Sequence, residues 1–176
     1  MRYLSGLALC GLWLLLTACG LKPDPQPDWP LQKQAIELTF HADPRVNFYA
    51  GQPHTLTISL FQLDEPNAYK QLAEREQGRR QMLAQSKELP PQLATERFYL
   101  VPGETRTLTF DRAERARFIA MAAGYFDPQV GATTAIERID YVVQRDGLIA
   151  GEKAAIPRFR RLIYLGPDGL KVREKP

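Results

Sequence analysis

Cysteine, histidine and serine are scarce in this chain of 176 residues. It has two Cys, Cys10 and Cys19, and two His, His41 and His54; beyond the first twenty residues only Ser59 and Ser86 carry a serine hydroxyl. That scarcity excludes most nucleophilic catalysis. No G-x-S-x-G elbow, Ser-x-x-Lys or H-E-x-x-H occurs, and there is no glycine-rich phosphate loop. A metal centre needs three or four ligands, and the two histidines with Asp43 nearby do not supply them. The expectation is a chain with no metal, no cofactor and no catalytic residue. A one-sided charge is missing as well. Lys plus Arg is 23 against 20 for Asp plus Glu, a net charge of +3, too small a surplus to indicate nucleic-acid binding. No apolar run reaches the roughly 20 residues of a membrane-spanning helix. Apolar residues at 44% and charged ones at 24% are ordinary for a globular domain, which argues against a disordered chain or a polytopic membrane protein.

What is present is concentrated at the start. Met1-Arg2-Tyr3 is short and basic, and Leu4 to Leu16 is an apolar run of thirteen residues, the length of a signal-peptide core. Leu16-Thr17-Ala18-Cys19 follows directly. A leucine, two small residues and a cysteine in that order resemble the lipobox of bacterial lipoproteins. The thiol of Cys19 is the nucleophile that would take a diacylglyceryl group, and the small residues before it give a peptidase access. Cleavage after Ala18 removes residues 1–18 and frees the Cys19 amine for a further acyl chain. Two or three chains anchor stably where one is marginal. Cys10, preceded by the bulky Leu9, is discarded with the signal. The remaining 158 residues hold no second cysteine, so no internal disulfide can staple them. A hydrophobic core must, and the length allows one. Gly20, rather than aspartate, follows the cysteine, a pattern that implies the outer membrane in enterobacterial lipoproteins.

Residues 19–33 read as a lipidated cysteine and a tether. Prolines at 23, 25, 27 and 30 make it extended and semi-rigid, about 35 Å long. Trp29 either docks on the domain or touches the headgroup region. A domain is expected over 34–176. Ile36, Leu38 and Phe40 alternate with Ala35, Glu37 and Thr39 as a half-buried strand. Leu56, Ile58 and Leu60 mark a second strand, and the breaker-rich segment His41 to Pro53 between them is a long loop. Ala68 to Ser86 is built from good helix formers, with Gly78 weakening its middle. It is one helix with a soft centre or two short ones, within an insertion at about 66–88. Glu96 to Val101 and Thr105 to Phe110 are strands joined by Pro102-Gly103, a hairpin signal. Phe118 to Phe126 begins with a continuous apolar run that suits a strand covered on both faces. Ile136 to Val143, Phe159 to Leu165 and Leu170 to Arg173 follow. About eight strands and one helical insertion suggest a small β-sandwich.

Two arginine clusters, Arg112/Arg115/Arg117 and Arg158/Arg160/Arg161, read as solvated mixed charge or as contacts to lipid headgroups or peptidoglycan. Ser59 and Ser86 read as structural. Asp127 and Glu137 are carboxylates that a peptidoglycan-acting enzyme could use, although nothing in the sequence positions them.

Three stretches, in order, carry a family resemblance. The first is Gly51-Gln52-Pro53 followed by a strand ending Phe61-Gln62-Leu63. Then come Arg97 to Val101 with Pro102-Gly103-Glu104, and Ile119 to Ala123 with Gly124-Tyr125-Phe126-Asp127. Together with the lipobox, over roughly residues 16 to 127, they resemble the type VI secretion lipoprotein family TssJ. The resemblance implies a transthyretin-like β-sandwich with a helical insertion, anchored in the outer membrane and facing the periplasm. It implies binding to the periplasmic C-terminal domain of the inner-membrane subunit TssM, and no enzymatic activity. It puts the partner-binding element on the loop between the first two strands. Phe48 and Tyr49 are then either the anchors, because interface hot spots favour large aromatics in pockets, or rings packed under their own loop; Asp43, Arg45, Val46 and Asn47 complete the contact. An escort lipoprotein of the chaperone or pilotin kind is the alternative.

Overall fold

The structure is a computed structural model and describes residues 25–127, 129–145 and 152–174. The signal peptide of residues 1–18, Cys19 and the first part of the tether lie outside the described residues. The ten strands and two helices among the described residues are β1 (Gln32–Ala42), β2 (Leu56–Leu63), α1 (Asn67–Glu74), α2 (Glu76–Ala84), β3 (Ala94–Leu100), β4 (Thr105–Arg112), β5 (Phe118–Ala123), β6 (Thr134–Arg138), β7 (Val142–Arg145), β8 (Glu152–Ala155), β9 (Phe159–Gly166) and β10 (Gly169–Glu174). Eight of the strands form two four-stranded sheets. Sheet I has the order β10-β9-β1-β4 and sheet II the order β3-β2-β5-β6. The fold is the expected β-sandwich with a helical insertion.

Period-two patterning explains where the core sits. Ile36, Leu38 and Phe40 of β1 are sealed from solvent, as are Leu56, Ile58 and Leu60 of β2 and Ile119 and Met121 of β5. These side chains interdigitate between the sheets. Each fully buried one contributes about 1.5–3 kcal/mol relative to exposure. Sheet II is covered on its outer face too. Phe61, Leu63, Ala120 and Ala122 point there and pack on Tyr69, Leu72 and Met82 of the two helices. That is why Phe118 to Ala123 is apolar at nearly every position while β1 alternates. Tyr69 ties down the segment returning from the helices, donating to Pro90 O at 3.2 Å and Gln92 Oε1 at 3.1 Å. Burial pushes its hydroxyl pKa up to about 12.

Several local expectations need correction. The helical segment is two helices, and it breaks at Arg75, which is extended at φ −106°, ψ 136°, not at Gly78. Gly78 is instead the crossing point. A Cβ there would stand 2.2 Å from the carbonyl oxygen of Leu72, so only glycine lets α2 lie that close to α1. Pro102-Gly103 does turn the chain, with Glu104 N donating to Val101 O at 3.1 Å, but it makes no hairpin. β3 pairs with β2, and β4 pairs with β1, so the turn arches from one sheet to the other. The strand from Phe118 stops at Ala123, before Phe126. Ile136 to Val143 is two strands, β6 and β7, parted by residues 139–141, of which Ile139 is buried. Strand β8 has no β-branched or aromatic residue and was not expected; with β7 it forms a separate hairpin.

The sandwich has two ends. At one, β1 leads into the loop before β2, β3 turns into β4, and β5 exits toward Phe126. At the other, the chain enters β1, β2 leads into α1, β4 ends and β5 begins.

Candidate functional site

The loop end is organised by Asp43. Its backbone N–H donates to Leu165 O at 2.9 Å, and its carbonyl accepts from Val46 N at 2.9 Å. Its carboxylate accepts from Arg45 N at 2.8 Å and from the Tyr164 hydroxyl at 2.6 Å. These bonds, the Tyr164 one foremost, favour the ionised form and hold the Asp43 pKa below the usual carboxylate value. The same bond raises the Tyr164 pKa. His41 stacks on the Tyr164 ring, with centroids 5.5 Å apart. Asp43 thus braces the base of the loop.

Val46 and Asn47 point inward. Val46 belongs to the core, and Asn47 is 2% exposed. The Asn47 amide donates to Thr55 O at 3.1 Å and accepts from Phe126 N at 2.7 Å. It adopts φ +51°, a left-handed conformation that asparagine tolerates. Both side chains are buried, and they fix what stands above them. That is Phe48, Tyr49 and, unexpected from the sequence, Phe126, which are 50%, 54% and 58% exposed. Tyr49 and Gln52 exchange backbone hydrogen bonds at 2.9 and 3.2 Å across Ala50 and Gly51, both at positive φ, a tight two-residue turn. His54 Nε2–H donates to Tyr49 O at 3.1 Å, and its ring meets the Phe126 ring edge-on at 5.1 Å. The Tyr49 and Phe126 rings are 5.8 Å apart. Tyr125 anchors the segment from below, donating to Gly166 O at 3.0 Å, and burial raises its pKa. Beside Phe126 a cavity of about 220 Å³ opens between α2 and the β5–β6 connection, lined in part by Arg79, Leu83 and Asp127.

Arg45 stays exposed at the rim. Phe126 was missed because it reads as the end of an apolar strand. The signal was Gly124 together with the Asp127-Pro128 breaker, which mark the strand's end before Phe126.

The remaining candidates take structural roles. Ser59 donates to Leu83 O at 3.3 Å, pinning α2 to sheet II, and Ser86 accepts from Glu88 N. Arg112 is 1% exposed, so it is unavailable to headgroups. Arg115 and Arg117 share Asp64 at 3.8 and 3.3 Å. Arg158 pairs with Glu37, and Arg161 with Glu137 and Glu174. Glu137 and Asp127 stand at opposite ends of the sandwich and do not converge. Among the described residues, no group of three His, Cys, Asp or Glu is placed to hold a metal ion. No helix of those residues is long and apolar enough to cross a membrane.

The domain is a helix-covered β-sandwich with an exposed aromatic rim at one end. The match to known proteins is specific. Residues 34–146 fit the family model described as "Type VI secretion lipoprotein, VasD, EvfM, TssJ, VC_A0113", and the chain belongs to that family. The family is one of structural lipoproteins of the secretion system, not of enzymes. The family match runs past residue 127 into β7. The fold is similar to the T6SS lipoprotein TssJ1 of Pseudomonas aeruginosa, at 21% identity and TM-score 0.62, over 84% of this chain and 98% of that one. It is also similar to Lip of Serratia marcescens, a membrane-bound component of the Type VI Secretion System, at 22% identity and TM-score 0.60, over 80% and 98%. A chain in a structure described as the T6SS protein TssM C-terminal domain (869-1107) from EAEC matches at 18% identity and TM-score 0.55, over 80% and 97%. No curated protein matches the chain.

Proposed function

We propose that this lipoprotein is acylated at Cys19, sits in the outer membrane facing the periplasm, and binds the periplasmic C-terminal domain of TssM, so tethering the type VI secretion membrane complex. Residues 1–18 are the cleaved signal, 19–33 carry the anchor and tether, and 34–176 form the binding domain. The observation that carries the reading is the aromatic rim of Phe48, Tyr49 and Phe126. Three rings about half exposed on a hydrogen-bonded platform are preorganised to be covered. They stand at the end of the sandwich away from the tether, where a partner coming from the inner membrane would meet them. Asp43, Val46 and Asn47 act from beneath, and Arg45 supplies a cation at the edge.

The test is capture of a TssM periplasmic fragment by the mature domain. The wild type is expected to bind, and Phe48→Ala with Tyr49→Ala to lose most of that binding without unfolding. Unchanged binding would remove the loop from the interface. For the anchor, Cys19→Ser should leave an unprocessed precursor that no longer fractionates with the outer membrane. Normal processing of that variant would sink the lipid assignment.

A further inference from the structure

The residues just before β1 are not a free spacer. Trp29 is 5% exposed, with its ring edge-on to Tyr141 at 6.4 Å and the Arg112 guanidinium 5.5 Å from its centroid. Arg112 Nη2 donates to Pro30 O at 2.8 Å. Arg115 N donates to Trp29 O at 2.8 Å, and Gln26 Nε2 donates to the Tyr141 hydroxyl at 2.7 Å. The segment is therefore fastened from Gln26 to Pro30 onto the end of the sandwich.

The fastening carries its own costs. Trp29 sits at φ +51°, a region that bulky L-residues rarely adopt. Docking also seals Arg112 away from water with Nε and Nη1 lacking a hydrogen-bond partner. A buried guanidinium without a counter-ion is unfavourable. A single carbonyl and a cation–π contact offset that only in part. These costs offset part of what burial of the indole contributes to docking.

We propose that residues 26–31 form a releasable strap that sets the height of the domain above the membrane. The height rests on the acylated Cys19 proposed above. With the strap docked, six residues, 20–25, link it to Cys19, a chain length of about 19 Å at polyproline extension. With the strap detached, twelve residues, 20–31, link Cys19 to β1, a chain length of about 37 Å. Strap release would roughly double the distance over which the aromatic rim can search for its partner.

Removal of the signal peptide takes Trp13 with it, so Trp29 becomes the sole tryptophan and reports on the strap directly. The acylated mature protein in phosphatidylethanolamine/phosphatidylglycerol vesicles should show blue-shifted emission and weak acrylamide quenching. Gln26→Ala with Tyr141→Ala should red-shift the emission and raise quenching about threefold as the population moves to the detached state. Arg112→Met, which keeps the stem and removes the buried charge, should hold the strap as tightly or more so. Replacement of residues 25–30 by a Gly/Ser segment of equal length touches no sandwich residue. It should move the domain outward by about 10–20 Å on a supported bilayer measured by neutron reflectometry. A water-exposed Trp29 in the membrane-bound wild type, a red shift in Arg112→Met, or an unchanged height in the Gly/Ser variant would each overturn the strap. A wild-type chain that fails to fractionate with membranes overturns the anchor instead, while Trp29 shielding in that soluble chain still reports the strap.

Discussion

Among the described residues two side-chain amides are buried, one at each end of the sandwich, and they are used differently. At the tether end Gln62, 3% exposed, donates to Asp111 O and accepts from Ala113 N, both at 2.8 Å. It thereby joins β2 of sheet II to the end of β4 in sheet I. At the loop end Asn47 joins two connecting segments and carries exposed rings above it. The same chemical group closes the core at one end and builds a platform at the other. The aromatic residues follow suit. Trp29 is buried by the tether end, whereas Phe48, Tyr49 and Phe126 are displayed by the loop end. The tether end uses its aromatic ring to hold its own chain; the loop end displays its rings on hydrogen-bonded supports, as the proposed partner contact requires.

That contrast can be tested from its largest expected effect downward. Gln62→Ala should cost about 2–4 kcal/mol of stability by urea unfolding, since two backbone groups lose their partner. A cost below about 0.5 kcal/mol would show that the tether end closes without it. Phe126→Ala should weaken capture of the TssM fragment tenfold or more, by about 1.4–3 kcal/mol, with no change in urea midpoint. Leu31→Ala, an equally exposed apolar residue at the tether end (61%), should leave capture unchanged. If Leu31 mattered as much as Phe126, the two ends would not be functionally distinct. Asn47→Ala should lose about 1–2 kcal/mol of stability and weaken capture severalfold, although the side chain touches no partner.

The smallest effect concerns pH. The folded-state pKa of Asp43 is below its unfolded value of about 3.9. Its contribution is therefore fully present above that value and lost as pH falls through the folded pKa. The stability difference between wild type and Tyr164→Phe should be constant from pH 7 to about 5 and shrink below about 4. A difference that grows on acidification would contradict the brace.

The sequence made the core strands legible because alternation, or its absence, reports how many faces are covered. It made the Pro102-Gly103 turn legible but not its connectivity, because hairpins and sheet-to-sheet arches use the same turn residues. The Phe61-Gln62-Leu63 triplet was visible as a motif. Only the structure explains its order, with Phe61 and Leu63 under the helices and Gln62 spanning the sheets. Trp29 was ambiguous because its docking partners, Arg112 and Tyr141, lie about a hundred residues away in sequence. The sequence grouped the six loop residues together but not the inward turn of Val46 and Asn47, which depends on the left-handed geometry at Asn47.

The pairing of β1 has a consequence for the order of events in the protein's life. β1 runs parallel to β9, with Ile36 opposite Phe159 and Ala42 opposite Leu165, contacts that span most of the chain. Such distant pairings form late. The first strand cannot be locked between its neighbours until nearly the last strand has emerged. During synthesis the β9-facing edge of β1 would therefore stay unpaired long after β4, its partner on the other edge, is complete.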